Sequence, residues 1–266
     1  LLCRGSFFLM FSIHIITLFP EQVEQYCLKG IFKRAFDQGL FSLTVVDLRN
    51  FGVGKHNKID YYPFSGKKGM IIRADALYAA VSSIEEYQNK RIIYTCPKGP
   101  VLDQSLSTTI ASDQQSLILI PGYYEGVDER IFDLLPIERV SIGNYILNSG
   151  DSAAIVIAET IIRQLPGVLG NAACIEDDSL FDQELEAPQY TQPLALNGLS
   201  VPDILRSGDH GKVALWKKKR ALWSTLVMRP DILCQKKVSD DEKIALTEII
   251  KEMVVKENDE SNYSRN

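Results

Sequence analysis

An alternation of short apolar runs with stretches of helical spacing constrains this chain most. The apolar runs are Phe11 to Phe19, Phe41 to Leu48, Arg91 to Thr95, Leu117 to Ile120 and Arg139 to Ile142. Between and after them lie helical stretches at Pro20 to Asp37, Ala74 to Tyr87 and Leu102 to Ala111, a helical turn at Asp128 to Leu134, and a strongly apolar stretch at Ser152 to Leu165 closed by Pro166-Gly167. Strands separated by helices join by crossovers, and crossovers give a parallel sheet covered by helices, an α/β fold. Pro20 suits a first helical position, where its missing N–H would be unpaired in any case. Gly39 can end the helix that Pro20 begins. Residues 49–69 carry four glycines and no period; a loop that long is often functional.

The character changes after residue 168. Residues 170–183 have no clear period, are locally acidic and read as an interdomain linker. Beyond it strand signals vanish. Pro202 to Arg206, His210 to Met228 and Ser239 to Val255 look helical, which predicts a small all-α domain over 184–255. The polar tail from Lys256 is expected to be disordered. Two domains suit 266 residues. With 45% hydrophobic and 24% charged residues the chain is neither a disordered tail, a collagen-like fibre nor a coiled coil.

Residues 1–20 superficially resemble a signal peptide or membrane anchor. Ser12 and His14 interrupt the apolar core, no small-residue cleavage site precedes Phe19-Pro20-Glu21, and the run is short for a bilayer. A buried first strand, apolar on both faces, accounts for it better. Met10 precedes that strand, so residues 1–9 are expected to be an upstream extension. Five cysteines without a C-x-x-C pair predict free thiols in a reducing, cytoplasmic setting. Three scattered histidines without H-E-x-x-H argue against a zinc hydrolase, and no metal site is expected from the residues. A formal charge of −5 is a poor general prior for nucleic-acid binding but hides local patches.

Generic motifs are weak. Ser65-Gly66-Lys67-Lys68-Gly69 lacks the leading glycine and the Ser/Thr of a phosphate-binding loop. Gly52-Val53-Gly54 is half of a dinucleotide fingerprint, placed in a loop. Gly150-Asp151-Ser152-Ala153-Ala154 faintly resembles a nucleophile elbow, but capping of the apolar helix by Asp151 or Ser152 explains it more simply. More informative are three loops, 96–100, 121–126 and 143–150, each following a strand and each rich in Gly, Pro or small residues. Ligands bind at the carboxyl ends of such strands, where glycine lets backbone approach closely. Three ordinary turns would leave the same pattern.

At these loops the chain resembles a known family. Gly122-Tyr123-Tyr124-Glu125-Gly126-Val127-Asp128-Glu129-Arg130 is similar to the G-R-Y-E-G-I-D-E-R motif of the bacterial tRNA (guanine-N1)-methyltransferases (TrmD), within the SPOUT superfamily. Ser141 to Leu147 resembles their S-I-G-D-Y-V-L, and Arg163 with Pro166 to Gly170 their R-x-x-P-G-V-L-G. Asp178-Ser179 and Pro188 to Pro193 resemble D-S and P-x-Y-T-R-P. Order and spacing agree over roughly residues 10–255. The resemblance implies a SPOUT sheet with a deep trefoil knot at the cofactor site, which periodicity does not reveal and the rule against threaded loops opposes. It also implies an obligate homodimer with the active site at the subunit interface. The implied reaction moves a methyl group from S-adenosylmethionine to N1 of the guanosine immediately 3′ of the tRNA anticodon, position 37, where guanosine precedes it. Magnesium assistance is a further family expectation, and no membrane partner is expected.

By resemblance the cofactor lies against Tyr94, Thr95, Cys96 and Pro97, a second wall of Gly122, Tyr124, Glu125 and Gly126, and a third of Ile142, Gly143, Tyr145, Leu147 and Gly150. Asp178 matches the general base and Arg163 the group that stabilises charge on guanine O6. By pattern alone Asp178 also reads as part of a helix cap and Arg163 as a solvated last-turn arginine. Ser179, Lys212, Lys217, Lys218 and Arg220, with Arg206 and Lys219 nearby, are the expected tRNA contacts, although a solvated helix face would look the same.

Five departures stand out. Ser149 replaces a glycine, Tyr123 an arginine beside the cofactor, Lys67 and Lys68 glycines, and Gln192 the arginine of Y-T-R-P. They keep open a catalytically impaired SPOUT RNA-binding protein, or a SPOUT enzyme with another RNA target. The apolar content of Leu117 to Ile120 and Ser152 to Leu165 exceeds what one small sheet face needs, which also suggests a dimer.

Overall fold

The computed structural model describes residues 10–27, 29–64, 66, 68–113, 115–169, 179–180 and 182–263, with side chains to Lys251. The chain packs as two units, Leu1–Asn171 and Ala172–Asn266. Residues 1–9, Ser65, Lys67 and the acidic stretch 170–178, Cys174 included, lie outside the described residues.

The first unit is built on a five-stranded sheet of β1 (Phe11–Thr17), β2 (Phe41–Asp47), β5 (Arg91–Thr95), β6 (Leu117–Ile120) and β7 (Ile137–Val140), in the order β2-β1-β6-β5-β7. Every pairing in it is parallel. Alternate side chains serve opposite faces. Ile13, Ile15, Ile93, Leu117 and Leu119 enter one core with α1 (Pro20–Cys27), α2 (Gly30–Asp37), α4 (Gln104–Ser112) and α6 (Asp151–Ile162). Ile16, Ile92, Tyr94, Ile118 and Ile120 enter the other with α3 (Ala74–Ser82) and α5 (Ile131–Leu134). The membrane-anchor alternative therefore fails for Phe11–Thr17, which pairs on both edges inside the sheet. Among the described residues no helix is long and apolar enough to cross a membrane.

Some expected elements change. The single helix over Pro20 to Asp37 is two, because Lys29 is extended (φ −130°, ψ 159°) and Gly30 takes φ +58°. The loop over 49–69 contains β3 (Asp60–Tyr61), which pairs antiparallel with β4 (Ile71–Ile72). Leu117–Ile120 is wholly buried within its own sheet, as are Ala154, Ile157, Ala158, Ile161 and Ile162 on α6. Their apolar character therefore needs no second subunit to explain it.

The second unit contains α7 (His210–Met228), α8 (Pro230–Leu233) and α9 (Asp240–Tyr263). It also holds a hairpin of β8 (Ala195–Leu196) and β9 (Leu199–Ser200), so it is not wholly helical. Asn197 and Gly198 both have positive φ at its tip, the Asn-Gly turn that most strongly signals a hairpin. The backbone of α9 continues past Lys256, where the polar composition predicts disorder; no Pro or Gly interrupts Asp240 to Tyr263.

Candidate active site

The carboxyl ends of three adjacent strands, β6, β5 and β7, release the three glycine-bearing loops on one edge of the sheet. These loops interlock. Thr95 Oγ1, at the end of β5, accepts from the Gly122 N–H at 3.0 Å, and the Gly150 N–H donates to the Gly122 carbonyl at 2.7 Å. A Cβ on Gly150 would sit 2.2 Å from the Gly122 nitrogen and 2.4 Å from Thr95 Oγ1. One on Gly122 would sit 2.6 Å from the Thr95 carbonyl oxygen. Glycine is here because backbones meet, which ordinary turns do not require. Ser141 N–H donates to the Pro100 carbonyl and Leu102 N–H to the Ser141 carbonyl, joining the remaining pair of loops.

The loops enclose a cavity of about 420 Å³. All thirteen residues expected at the cofactor line it: Tyr94, Thr95, Cys96, Pro97, Gly122, Tyr124, Glu125, Gly126, Ile142, Gly143, Tyr145, Leu147 and Gly150. Sequence reasoning missed several other lining residues, among them Phe132, Arg139 and Glu129. They form a layered floor. Phe132 meets Tyr94 edge-on at 5.7 Å, the Arg139 guanidinium lies 3.6 Å over the Phe132 ring, and Glu129 pairs with Arg139. Burial pushes the Tyr94 hydroxyl up to about 12. Tyr124 takes φ +53° and leaves its ring half exposed. The segment 69–72 continues this wall: Glu125 N–H donates to the Met70 carbonyl and Ile72 N–H to the Gly126 carbonyl.

The substituted positions are placed differently. Ser149 lines the cavity. Tyr123 also borders it, but its hydroxyl reaches Asp151 and Thr17. Lys68 is exposed, and Gln192 is exposed in the second unit. Arg163 caps the carboxyl end of α6 and is exposed, whereas Gly150 and Ala153 border the cavity at its amino end. A helix of 12 residues separates them by roughly 18 Å. Arg163 is therefore not brought to its own chain's cavity. Asp178 lies outside the described residues.

In the second unit the expected phosphate contacts divide. Ser179 Oγ accepts from the Glu186 N–H. Lys212 pairs with Asp209 at the start of α7, and Lys217 is exposed. Arg220 lies over the Trp216 ring, against which Tyr190 also packs. Arg206 pairs with Asp203. Lys218 is committed elsewhere, at 2.8 Å from Glu184 and 2.7 Å from Glu242. Lys219 pairs with Glu248. Among the described residues one carboxylate trio, Asp182, Glu184 and Glu242, is close enough to share an ion. The buried Lys236 ammonium already contacts all three. Burial alone would raise the Glu242 carboxyl, but Lys218, the Ser239 N–H and Lys236 outweigh it and hold it at about 2.

An open parallel sheet with a backbone-lined cavity at its carboxyl edge defines an α/β protein built to hold a small ligand. The sequence profile described as tRNA (Guanine-1)-methyltransferase TrmD matches residues 11–235. A tRNA (guanine-N(1)-)-methyltransferase of Geobacillus kaustophilus is 40% identical over 241 residues, covering 90% of this chain and 98% of its own. One of Staphylococcus carnosus is 38% identical over 234 residues, covering 88% and 95%. This chain belongs to the TrmD family.

Proposed function

We propose that the chain methylates N1 of the guanosine immediately 3′ of the tRNA anticodon, position 37, when guanosine precedes it. The observation that carries this is the family match across 11–235 together with the convergence of the motif residues on one cavity. S-adenosylmethionine fits that cavity. Its volume lies within the roughly 300–1,000 Å³ of small-molecule sites. Its walls combine side-chain-free backbone at Gly122 and Gly150, which a flat ligand can approach closely, with the apolar faces of Ile142 and Leu147. When bound, S-adenosylmethionine supplies an electrophilic methyl group.

Guanine N1 must lose a weakly acidic proton before it can accept that methyl group. Asp178 takes the proton as general base, and Arg163 stabilises the negative charge that builds on O6. Arg163 stands at the far end of α6 from its own cavity, which favours a site completed by a second chain, in a homodimer with the active site at the subunit interface. Ser179, Lys212, Lys217 and Arg220 position the tRNA through its backbone; Lys218 is left out because its ammonium is held by Glu184 and Glu242. The trefoil knot is assigned to the three interlocked loops, and the setting is the cytoplasm. Magnesium assistance rests on the resemblance alone.

Methyl transfer to a tRNA with guanosines at positions 36 and 37, followed by nuclease digestion, locates the product. Asp178→Asn should lower turnover roughly 10²–10⁴-fold, the usual worth of a general base. S-adenosylmethionine affinity should be unchanged. If Asp178 and Arg163 reach one site from different chains, mixed dimers of inactive Asp178→Asn and Arg163→Ala subunits should regain activity at about half their sites. Near-normal turnover of Asp178→Asn would remove the base assignment, and no recovery in the mixture would place Asp178 and Arg163 on the same chain at each site.

A further inference from the structure

Beneath the cavity, three polar side chains from distant parts of the chain meet in the core. Asp151 opens α6 and is 6% exposed; Tyr123 follows Gly122 and is 5% exposed; Thr17 ends β1 and is fully buried. Asp151 Oδ1 accepts from Thr17 Oγ1 at 2.7 Å and from the Tyr123 hydroxyl at 2.5 Å. The two hydroxyl oxygens are themselves 2.7 Å apart. Each also accepts a backbone N–H, Tyr123 from Leu18 at 3.1 Å and Thr17 from Phe19 at 2.9 Å. Asp151 Oδ2 has no hydrogen-bond partner among the described residues. Burying a carboxylate with one oxygen unpaired costs free energy that an apolar residue here would avoid. Burial and the bond to Asp151 push the Tyr123 hydroxyl above its ordinary range, so it stays a donor.

The cluster is not needed to fill the core, but it grips both sides of one narrow gap. Tyr123 is bonded in sequence to Gly122, and Asp151 to Gly150, and these two glycines join wall to wall through the 2.7 Å bond from Gly150 N–H to the Gly122 carbonyl. We propose that Asp151, acting through Tyr123, is a positioning residue that holds the Gly122 and Gly150 walls at the spacing S-adenosylmethionine requires. The proposal rests on the assignment of that ligand to the cavity. It also explains Tyr123, a departure from the family motif: the ring packs against Phe19 at 6.0 Å while the hydroxyl ties its loop to Asp151.

Tyr123→Phe deletes the hydroxyl and keeps the ring; Asp151→Asn keeps the shape and removes the charge. S-adenosylmethionine binding is read by calorimetric titration, and KM for each substrate and kcat by methyl transfer. Loss of a bond to a charged acceptor should raise the S-adenosylmethionine Kd and KM about tenfold in each variant. KM for tRNA should not move. The double variant should bind no worse than the weaker single one, because both changes act on the same contact, one by deleting its donor and the other by removing the charge of its acceptor. Ser107→Ala is the control for lost stability. It breaks a buried contact with Gln164 near the other end of α6 and should lower the melting midpoint without altering S-adenosylmethionine affinity. If wild-type protein binds and Tyr123→Phe binds equally tightly, the positioning role is overturned even if Asp151→Asn fails to fold. If wild-type protein does not bind S-adenosylmethionine, the cavity assignment falls and this proposal with it.

Discussion

Gly150→Ala isolates the close approach of the three loops. Gly150 has φ −79° and ψ −1°, a conformation alanine adopts readily, so the backbone itself raises no objection. The obstacle is space. The new methyl would lie 2.2 Å from the Gly122 nitrogen, 2.4 Å from Thr95 Oγ1 and 2.9 Å from the Pro121 carbonyl carbon. Carbon contacts settle near about 3.5–4.0 Å, so the loops must part by more than ~1 Å. That separation stretches the Gly150–Gly122 bond of 2.7 Å and the Gly122–Thr95 bond of 3.0 Å. Overpacking costs about 1–3 kcal/mol and each weakened bond about 1 kcal/mol. Against this stands a gain of about 0.4–1 kcal/mol from a stiffer unfolded chain. The net loss is about 2–4 kcal/mol, which for a domain of this size lowers the melting midpoint by roughly 5–15 °C. Circular dichroism melts read the midpoint, and calorimetry reads S-adenosylmethionine binding, which should be largely lost. Gly211→Ala is the contrast: its nearest neighbour would be Asp209 Oδ1 at 3.5 Å, inside α7, and it should be neutral or stabilising. A Gly150→Ala protein as stable as wild type would refute the interlocked-loop argument. One that is destabilised yet binds normally would show that the ligand does not lie against Gly150.

Three further outcomes follow from charge and burial. Glu242 is held at about 2 in the folded chain against an ordinary 4.5, so its contribution is complete above about pH 4.5 and is lost as pH falls towards 2. Lys236→Met should flatten that part of the acid-unfolding curve and destabilise the protein at pH 7 by about 1–3 kcal/mol, since Lys218 alone is then left to hold Glu184 and Glu242; an unchanged acid limb would sink this account. His14 is lowered from 6.5, first by burial and then by Lys90, so the fold favours its neutral form. Its contribution should be complete above pH 6.5 and decline as pH drops below it, and His14→Gln should remove that slope from urea titrations. Burial raises the Cys27 thiol to about 11, whereas Cys96 borders the cavity. Iodoacetamide at pH 7.5 should label Cys96 and spare Cys27, with S-adenosylmethionine protecting Cys96; equal labelling with and without it would place the ligand elsewhere.

The sheet was legible in the sequence because strands buried on both faces must be continuously apolar and each crossover helix must carry a stripe of its own. Runs such as Leu117–Ile120 and spacing such as that of Ala154, Ile157, Ala158 and Ile161 are local consequences of burial. The pocket was legible only through the family resemblance: the glycines at 122 and 150 are demanded by backbone contact, but three ordinary turns would have left the same glycine pattern. The Asn197-Gly198 hairpin and the break at Lys29-Gly30 were written at the positions themselves, in turn chemistry that the longer helical periods overshadowed. What only the tertiary structure decided is who partners whom. Tyr123 was only a departure from the family's arginine beside the cofactor until the fold brought it to Thr17, 106 residues away, and to Asp151. Lys218 looked like a phosphate contact until Glu184 and Glu242 closed on it. Arg163 proved to stand at the far end of α6 from its own chain's cavity. A polar side chain has no period that betrays its partner, because its environment is set by whichever segments the fold carries past it.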